Sequence, residues 1–351
     1  MVKQARHKDN KMDKRIIHFF LVRILICICM CLFGCVPQRH TIKKKMVINP
    51  YATANLHTKI DSNTNTYNPP LTIWIHGTNF LRNRLFKDVF NEIPSLKLAS
   101  EINKRYKARI IANTLNKYNA TRFPLSTFYI FCWSGNLNAN LREKTAHHLY
   151  AELKQVITDY KQTYDCMPRI QIITHSHGGN VALNLAKIKD TQDTLFVIDT
   201  LVLLACPVQI RTMSFIDHPM FRRIYSLYSN LDLIQVIAPQ LFKNNDSEKR
   251  RFAFPPFSNR CFPQREHVTQ VKMKIDGNAL WHNDFVKPKF LKLLPSIISE
   301  LDSWDPILSP IGKPAKLQQI GLNGQNLALI TDIPDVTHSL SVRIANKHLL
   351  T

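Results

Sequence analysis

The stretch Arg169–Ala182, reading RIQIITHSHGGNVA, limits this chain more than any other. Ile170, Ile172 and Ile173 form a short β-branched apolar run, the composition of a strand buried on both faces of a parallel sheet. It stops at Thr174-His175-Ser176-His177-Gly178-Gly179, and Val181 to Ala186 resumes with the pattern of an amphipathic helix. Only a tight, strained turn connects a strand to a helix so abruptly, and it leaves the central serine hydroxyl clear at the strand end. Gly178 gives the helix room to pack close behind, where a side chain would clash. A serine at this place also serves as an ordinary helix cap. The rest of the chain separates the two readings.

Charge is the one unusual feature of the composition. Among 351 residues, 47 Lys and Arg stand against 25 Asp and Glu, a net charge of +22. Twelve basic and two acidic residues fall in the first sixty, so nearly half of the excess precedes the segments that carry motifs. A basic surface draws a protein to nucleic acid or to anionic lipid. No base-reading element is present, so no nucleic acid is expected and the membrane surface is favoured. Residues 1–15 are basic and polar, Ile16–Val22 are mostly apolar, Arg23 interrupts, and Ile24–Phe33 carry no charge. That order and length suit a signal peptide. The segment closes with Leu32-Phe33-Gly34-Cys35, which resembles the lipobox of bacterial lipoproteins and implies lipidation at Cys35. Alternatively, 16–34 form an uncleaved anchor helix, with His18 and Arg23 snorkelling or paired. Both readings tether the chain to the cell envelope through its N-terminus, with the remainder outside the cytoplasm. Four of eight cysteines sit in this leader, and Cys132, Cys166, Cys206 and Cys261 show no metal-ligand spacing.

The chain divides into 1–35 (signal peptide or anchor), 36–70 (linker), 71–302 (the main domain) and 303–351 (an extension without an assigned role). The linker is polar and ends in Pro69-Pro70, with one short strand expected at Lys45–Ile48. Further strands are read at Leu71–Ile75, Phe128–Trp133, Leu201–Ala205, Arg223–Tyr228 and Val268–Ile275. Helices are read over Phe86–Tyr106 with a break at Pro94, over Leu141–Tyr160, from the serine turn to about Lys189, and over Phe285–Leu301. A basic, irregular excursion is expected from about Leu241 to Glu266. Strands alternating with helices, most strands apolar throughout, give an α/β fold: a mainly parallel sheet of about six or more strands flanked by helices. The extension adds two strand-like runs, Leu327–Ile330 and Leu340–Ile344, as a hairpin appendage.

An activated serine needs a base, and the base needs an acid to fix its tautomer. In an open parallel sheet the reacting groups gather at the carboxyl ends of the strands. Asp199 and His267 come before their strands, at the wrong edge. Asp232 and His282 come after theirs, which selects the set Ser176, Asp232 and His282 in that chain order. The developing oxyanion calls for fixed donors: the backbone N–H of His177, and that of Thr78 after the Leu71–Ile75 strand, with Asn79 as the alternative. Gly77 permits close backbone approach there, and His76 holds the loop by hydrogen bonds. His175 and His177 flank the serine but point away from its hydroxyl. No metal site is expected, since His76, His175 and His177 lack ligand spacing.

These residues, His76-Gly77-Thr78, Thr174-His175-Ser176-His177-Gly178, Asp232 and His282, resemble the α/β-hydrolase superfamily of serine esterases and lipases. The similarity extends over about 71–300, and Phe131-Cys132-Trp133-Ser134-Gly135 looks like the strand before the serine unit in bacterial lipase-like members. One departure stands out: Thr174 replaces the first glycine of G-x-S-x-G. The resemblance implies the α/β-hydrolase fold and hydrolysis of an acyl ester, lipid or otherwise, through an acyl-serine without a cofactor. The alternative, prompted by Thr174, the charge and the extension, is a non-catalytic envelope or host-interaction module on the same scaffold.

Overall fold

A computed structural model describes residues 42–46, 68–78, 93–188, 196–237, 239–241, 252–303, 327–332 and 337–342. The leader, Cys35 and Asn79 lie outside the described residues. The strands are β1 (Ile42–Met46), β2 (Leu71–Ile75), β3 (Ser95–Leu98), β4 (Phe128–Cys132), β5 (Ile170–His175), β6 (Ile198–Leu204), β7 (Ile224–Tyr228), β8 (Pro239–Leu241), β9 (Phe252–Phe257), β10 (Val268–Ile275), β11 (Asn278–Ala279), β12 (Leu327–Asp332) and β13 (Thr337–Val342). The main sheet runs β1-β12-β13-β10-β7-β6-β5-β2-β4-β3, with β11 folded back on β10. From β13 through β4 every pairing is parallel. β3 is antiparallel at one edge, and β12 and β1 are antiparallel at the other. This is an α/β architecture with a mainly parallel, mixed sheet.

Strand β2 has β4 on one side and β5 on the other, so the chain first winds one way from it and later the opposite way. The carboxyl ends of β2 and β5 therefore flank the topological switch point, where such sheets leave a crevice. His76-Gly77-Thr78 and Ser176 follow those two strands directly.

Helices α1 (Lys107–Tyr118), α2 (Ala139–Tyr164), α3 (Gly178–Leu183) and α4 (Leu294–Ser303) cover the sheet. Alternation along the strands sends Trp74, Ile173 and Val202 to one core and Ile73, Ile172 and Leu203 to the other. α1 contributes Ala108, Ile111, Ala112 and Leu115 to the first core, and α4 contributes Leu294, Ile297, Ile298 and Leu301. α2 brings Ala146, Leu149, Leu153 and Ile157 to the second, beside Val181, Ala182 and Leu183 of α3.

Several local expectations are corrected. The helix expected to continue from Pro94 to Tyr106 is replaced by strand β3 on β4 and a single 3-10 turn, Ala99–Glu101. Pro94 disfavours helix in the residue before it, and the open edge of β4 offers Ser95–Leu98 backbone partners. The expected portion before Asn91 falls largely outside the described residues. Helix α1, unread from sequence, instead follows Tyr106, its apolar stripe recurring at three- and four-residue steps. The excursion after Leu241 is not wholly irregular, since β8 and β9 pair antiparallel. The closing helix is cut into a 3-10 turn, a short helix at Pro288–Leu291 and α4, with Pro288 at a helix start. α3 gives way to 3-10 at Asn184, whose side-chain amide donates to the Asn180 carbonyl at 2.7 Å and competes with helix bonding. The short strand expected at Lys45–Ile48 is β1, displaced to Ile42–Met46.

The amino ends of the strands are pinned by Asp302 at the end of α4. Its carboxylate accepts from Arg122, from the Tyr225 hydroxyl at 2.8 Å and from Arg223 at 3.3 Å. The Arg223 side chain is only 6% exposed. Asp302→Ala strands these buried donors, and the expected loss is about 3 kcal/mol in urea unfolding. A loss well under about 1 kcal/mol would mean that the cluster behaves as a solvated surface pair.

Candidate active site

Ser176 sits directly between β5 and α3 with a backbone φ of +54°, in the left-handed region that a non-glycine residue rarely occupies. Its N–H donates to the Leu204 carbonyl at the end of β6 at 2.8 Å, and its carbonyl accepts from the Gly179 N–H at 3.0 Å. Two backbone bonds thus hold the strained conformation. Thr174, in place of the usual glycine, is fully buried and donates its hydroxyl to the Val202 carbonyl at 3.2 Å. The extra side chain is accommodated because it is satisfied.

Two glycines are required by close approach. A Cβ on Gly178 would stand 2.6 Å from the carbonyl oxygens of both Ile75 and His76, so α3 lies against the end of β2. A Cβ on Gly77 would come within 2.7 Å of the Ser176 Cβ, so the loop after β2 runs beside the serine. His76 holds that loop. Its Nδ1–H donates to the Gly77 carbonyl at 2.7 Å, its ring stacks on Trp133, and the Trp133 indole donates to the His76 carbonyl at 2.9 Å. Thr78 follows, half-buried. His177 precedes the first turn of α3, where helix N–H groups have no intrahelical acceptor.

Asp232 and His282 come together from loops after β7 and β11. The His282 Nδ1–H donates to Asp232 Oδ2 at 2.8 Å, and the other carboxylate oxygen accepts from the Gln235 N–H at 3.0 Å. Asp232 is fully buried and His282 is 7% exposed. With Nδ1 carrying the proton, Nε2 of His282 is left as the basic nitrogen. The acid loop is clamped by Arg260, which donates to the carbonyls of Ser229, Asn230 and Asp232. The Ser229 hydroxyl accepts from the Leu280 N–H at 2.9 Å, joining the acid loop to the histidine loop.

The link from this pair to the serine turn is His175. Its Nε2–H donates to the His282 carbonyl at 3.0 Å, and the two rings lie 4.8 Å apart. This contact spans 107 residues, so no local signal announces it. Burial holds the His175 imidazole well below the ordinary 6.5, and the neighbouring His282 acts in the same direction. Burial likewise lowers His177, followed by the charge of Arg142. Both rings are therefore neutral. Asp199 and His267 stand at the opposite edge: Asp199 accepts from the Ile170 N–H and pairs with Arg222, and His267 bonds the Ile216 carbonyl. Among the described residues, no group of three or more His, Cys, Asp or Glu is placed to share a metal ion. The four described cysteines are free, and burial pushes the Cys206 thiol up to about 12.

No family model and no curated protein matches this chain. A crystal structure of vibralactone cyclase shows a weak likeness, at 12% identity and a TM-score of 0.22. It spans 58% of this chain and 55% of that one, about half the length of each.

The two neutral histidines set the acid side of the stability profile. In the unfolded chain they titrate near 6.5, whereas in the folded chain they stay unprotonated below that value. The unfolded state then binds more protons, so stability is full above pH 6.5 and falls as pH drops below it. Each contributes about 1.4 kcal/mol per pH unit in that range. Unfolding measured against pH should show this slope, and His177→Gln should make it shallower. An unchanged slope would show that His177 titrates normally when folded.

Proposed function

We propose that this chain is a serine hydrolase of the α/β-hydrolase type that cleaves carboxylic esters, lipid or other acyl esters, through an acyl-serine intermediate. The observation that carries the reading is the buried Asp232–His282 hydrogen bond, tied through His175 to a serine in a positive-φ turn at the switch point.

In this mechanism the Ser176 hydroxyl attacks the ester carbonyl while His282 Nε2 takes its proton. The tetrahedral oxyanion is met by the N–H groups of His177 and Thr78. His282 returns the proton to the alcohol as the carbonyl re-forms, leaving the acyl group on Ser176. Water, deprotonated by His282, then attacks the acyl-serine and releases the acid. Asp232 stabilises the imidazolium at each step without becoming protonated. His76 and Gly77 position the Thr78 donor, and Gly178 lets the His177 donor approach. An apolar acyl substrate is supported by Leu231, Ile234 and Trp281, which are 37%, 54% and 57% exposed beside Asp232 and His282 in the chain.

Ser176→Ala should abolish hydrolysis of p-nitrophenyl esters and labelling by a fluorophosphonate. Asp232→Asn should lower kcat by roughly 10⁴-fold, because the histidine loses its correct tautomer. Full turnover by the Ser176→Ala chain, or an adduct mapped to another residue, would overturn the assignment.

We further propose that the domain is tethered to the cell envelope through lipidated Cys35. Support comes from the sequence of the leader, which lies outside the described residues. Among the described residues, no helix is long and apolar enough to cross a membrane. Intact mass of the exported protein should begin at a lipidated Cys35, and Cys35→Ser should accumulate as the unprocessed precursor. A wild-type protein retaining Met1, with Cys35→Ser unchanged, would instead establish the anchor helix.

A further inference from the structure

A small second cleft, open to solvent, lies between the start of α2, the 3-10 turn after α3 and the short helix Ile210–Met213. Arg142 forms part of its wall and is 3% exposed. Its guanidinium donates to the Leu137 carbonyl at 2.6 Å and to Gln209 Oε1 at 2.8 Å, both neutral oxygens. Among the described residues, no carboxylate stands within ion-pair distance of it. Burying a cation without a counter-charge is expensive.

One neighbour and the helix dipole increase that cost. Arg211 lines the same cleft, near enough for its charge to oppose that of Arg142. Among the described residues it makes no ion pair or hydrogen bond of its own. Burial, with this repulsion acting in the same direction, holds Arg142 down at about 10. Arg142 also occupies the first turn of α2, where a cation opposes the helix dipole. Glu143 does not relieve it, since its carboxylate is engaged by Lys187 across the cleft rim. The wall therefore carries one buried and one half-buried guanidinium without a carboxylate partner among the described residues, beside one neutralised pair.

We propose that this cleft binds an oxyanion of the phosphate class, gripped by Arg142 and Arg211. Guanidinium forks match the paired oxygens of such a group, and a buried one gains most from it. The cleft also communicates with the candidate active site. The Thr212 hydroxyl on its wall donates to Asn180 Oδ1 at 2.6 Å, and Asn180 Nδ2 donates to His177 Nδ1 at 3.3 Å. The bound group is either the phosphate of an ester substrate or a free ion acting through His177.

The test titrates the full chain carrying Ser176→Ala with inorganic phosphate by calorimetry at constant ionic strength. This arm stands or falls apart from the reading of Ser176. Saturable binding is expected, and Arg211→Gln should weaken it about tenfold or more. Arg211 is only half-buried, so the variant should keep its circular-dichroism melting curve, which guards against an unfolded Arg142→Gln being misread. Absence of saturable binding, or equal affinity in Arg211→Gln, would overturn the site. A second arm, on the Ser176 chain, compares a neutral ester with its phosphate-bearing analogue. A preference for the charged ester that shrinks in Arg211→Gln assigns the site to substrate. An effect of inorganic phosphate on kcat for the neutral ester, lost in Arg211→Gln, assigns it to a free ion. If neither effect is seen, the link from the cleft to the candidate active site is overturned.

Discussion

The hydrogen bond from the Ser176 N–H to the Leu204 carbonyl is the contact on which the site depends. A residue at φ +54° is held against its preference, and only a surrounding structure that over-determines the turn can keep it there. β6 supplies the acceptor, Gly178 allows α3 to press on β2, and Gly77 lets the next loop close over the serine. Each of these supports comes from a different strand end. Removing any one would free the turn to relax toward an ordinary helix start.

Much of this was legible because strand ends are a positional code. In a parallel sheet the last residue of each apolar run marks the functional edge, so Ser176, Asp232 and His282 could be sorted from Asp199 and His267 by order alone. The hydrogen bond between Asp232 and His282 spans 50 residues, yet both partners advertised themselves by position. His175 and Arg142 did not. His175 meets His282 across 107 residues and Arg142 meets Gln209 across 67, and although Arg142 falls on the buried stripe of α2, no local pattern names either partner. Helix α1 escaped for another reason: Lys107, Arg109, Asn113 and Asn116 dilute its apolar stripe, and the pattern before Tyr106 ran toward helix where the edge of β4 imposed strand instead. Propensity is local, whereas an open sheet edge is a demand made by the tertiary fold.

The two polar centres of the molecule handle burial in opposite ways. At the candidate active site each charge is met: Asp232 by the His282 ring and a backbone N–H, with neutral His175 and His177 around it. A low dielectric there would strengthen the field on the carbonyl of the proposed ester substrate. In the second cleft, Arg142 and Arg211 line the same wall and their charges oppose each other. The contrast lies in charge: the Asp232 carboxylate has hydrogen-bond donors at both oxygens, whereas the Arg142 guanidinium meets only neutral oxygens.

Ala205, immediately after β6, repeats the geometry of Ser176: its φ is +51° and its N–H donates to the Leu227 carbonyl of β7 at 2.9 Å. The two left-handed residues form a staircase, each braced by the strand one step further across the sheet. Neither step can be set before the strand beneath it is in register. The serine turn thus precedes in the chain both strands, β6 and β7, on whose carbonyls the two steps lean. A chain that ends before Leu227 carries the whole serine motif and its β6 acceptor, but not the carbonyl that braces Ala205 one step behind.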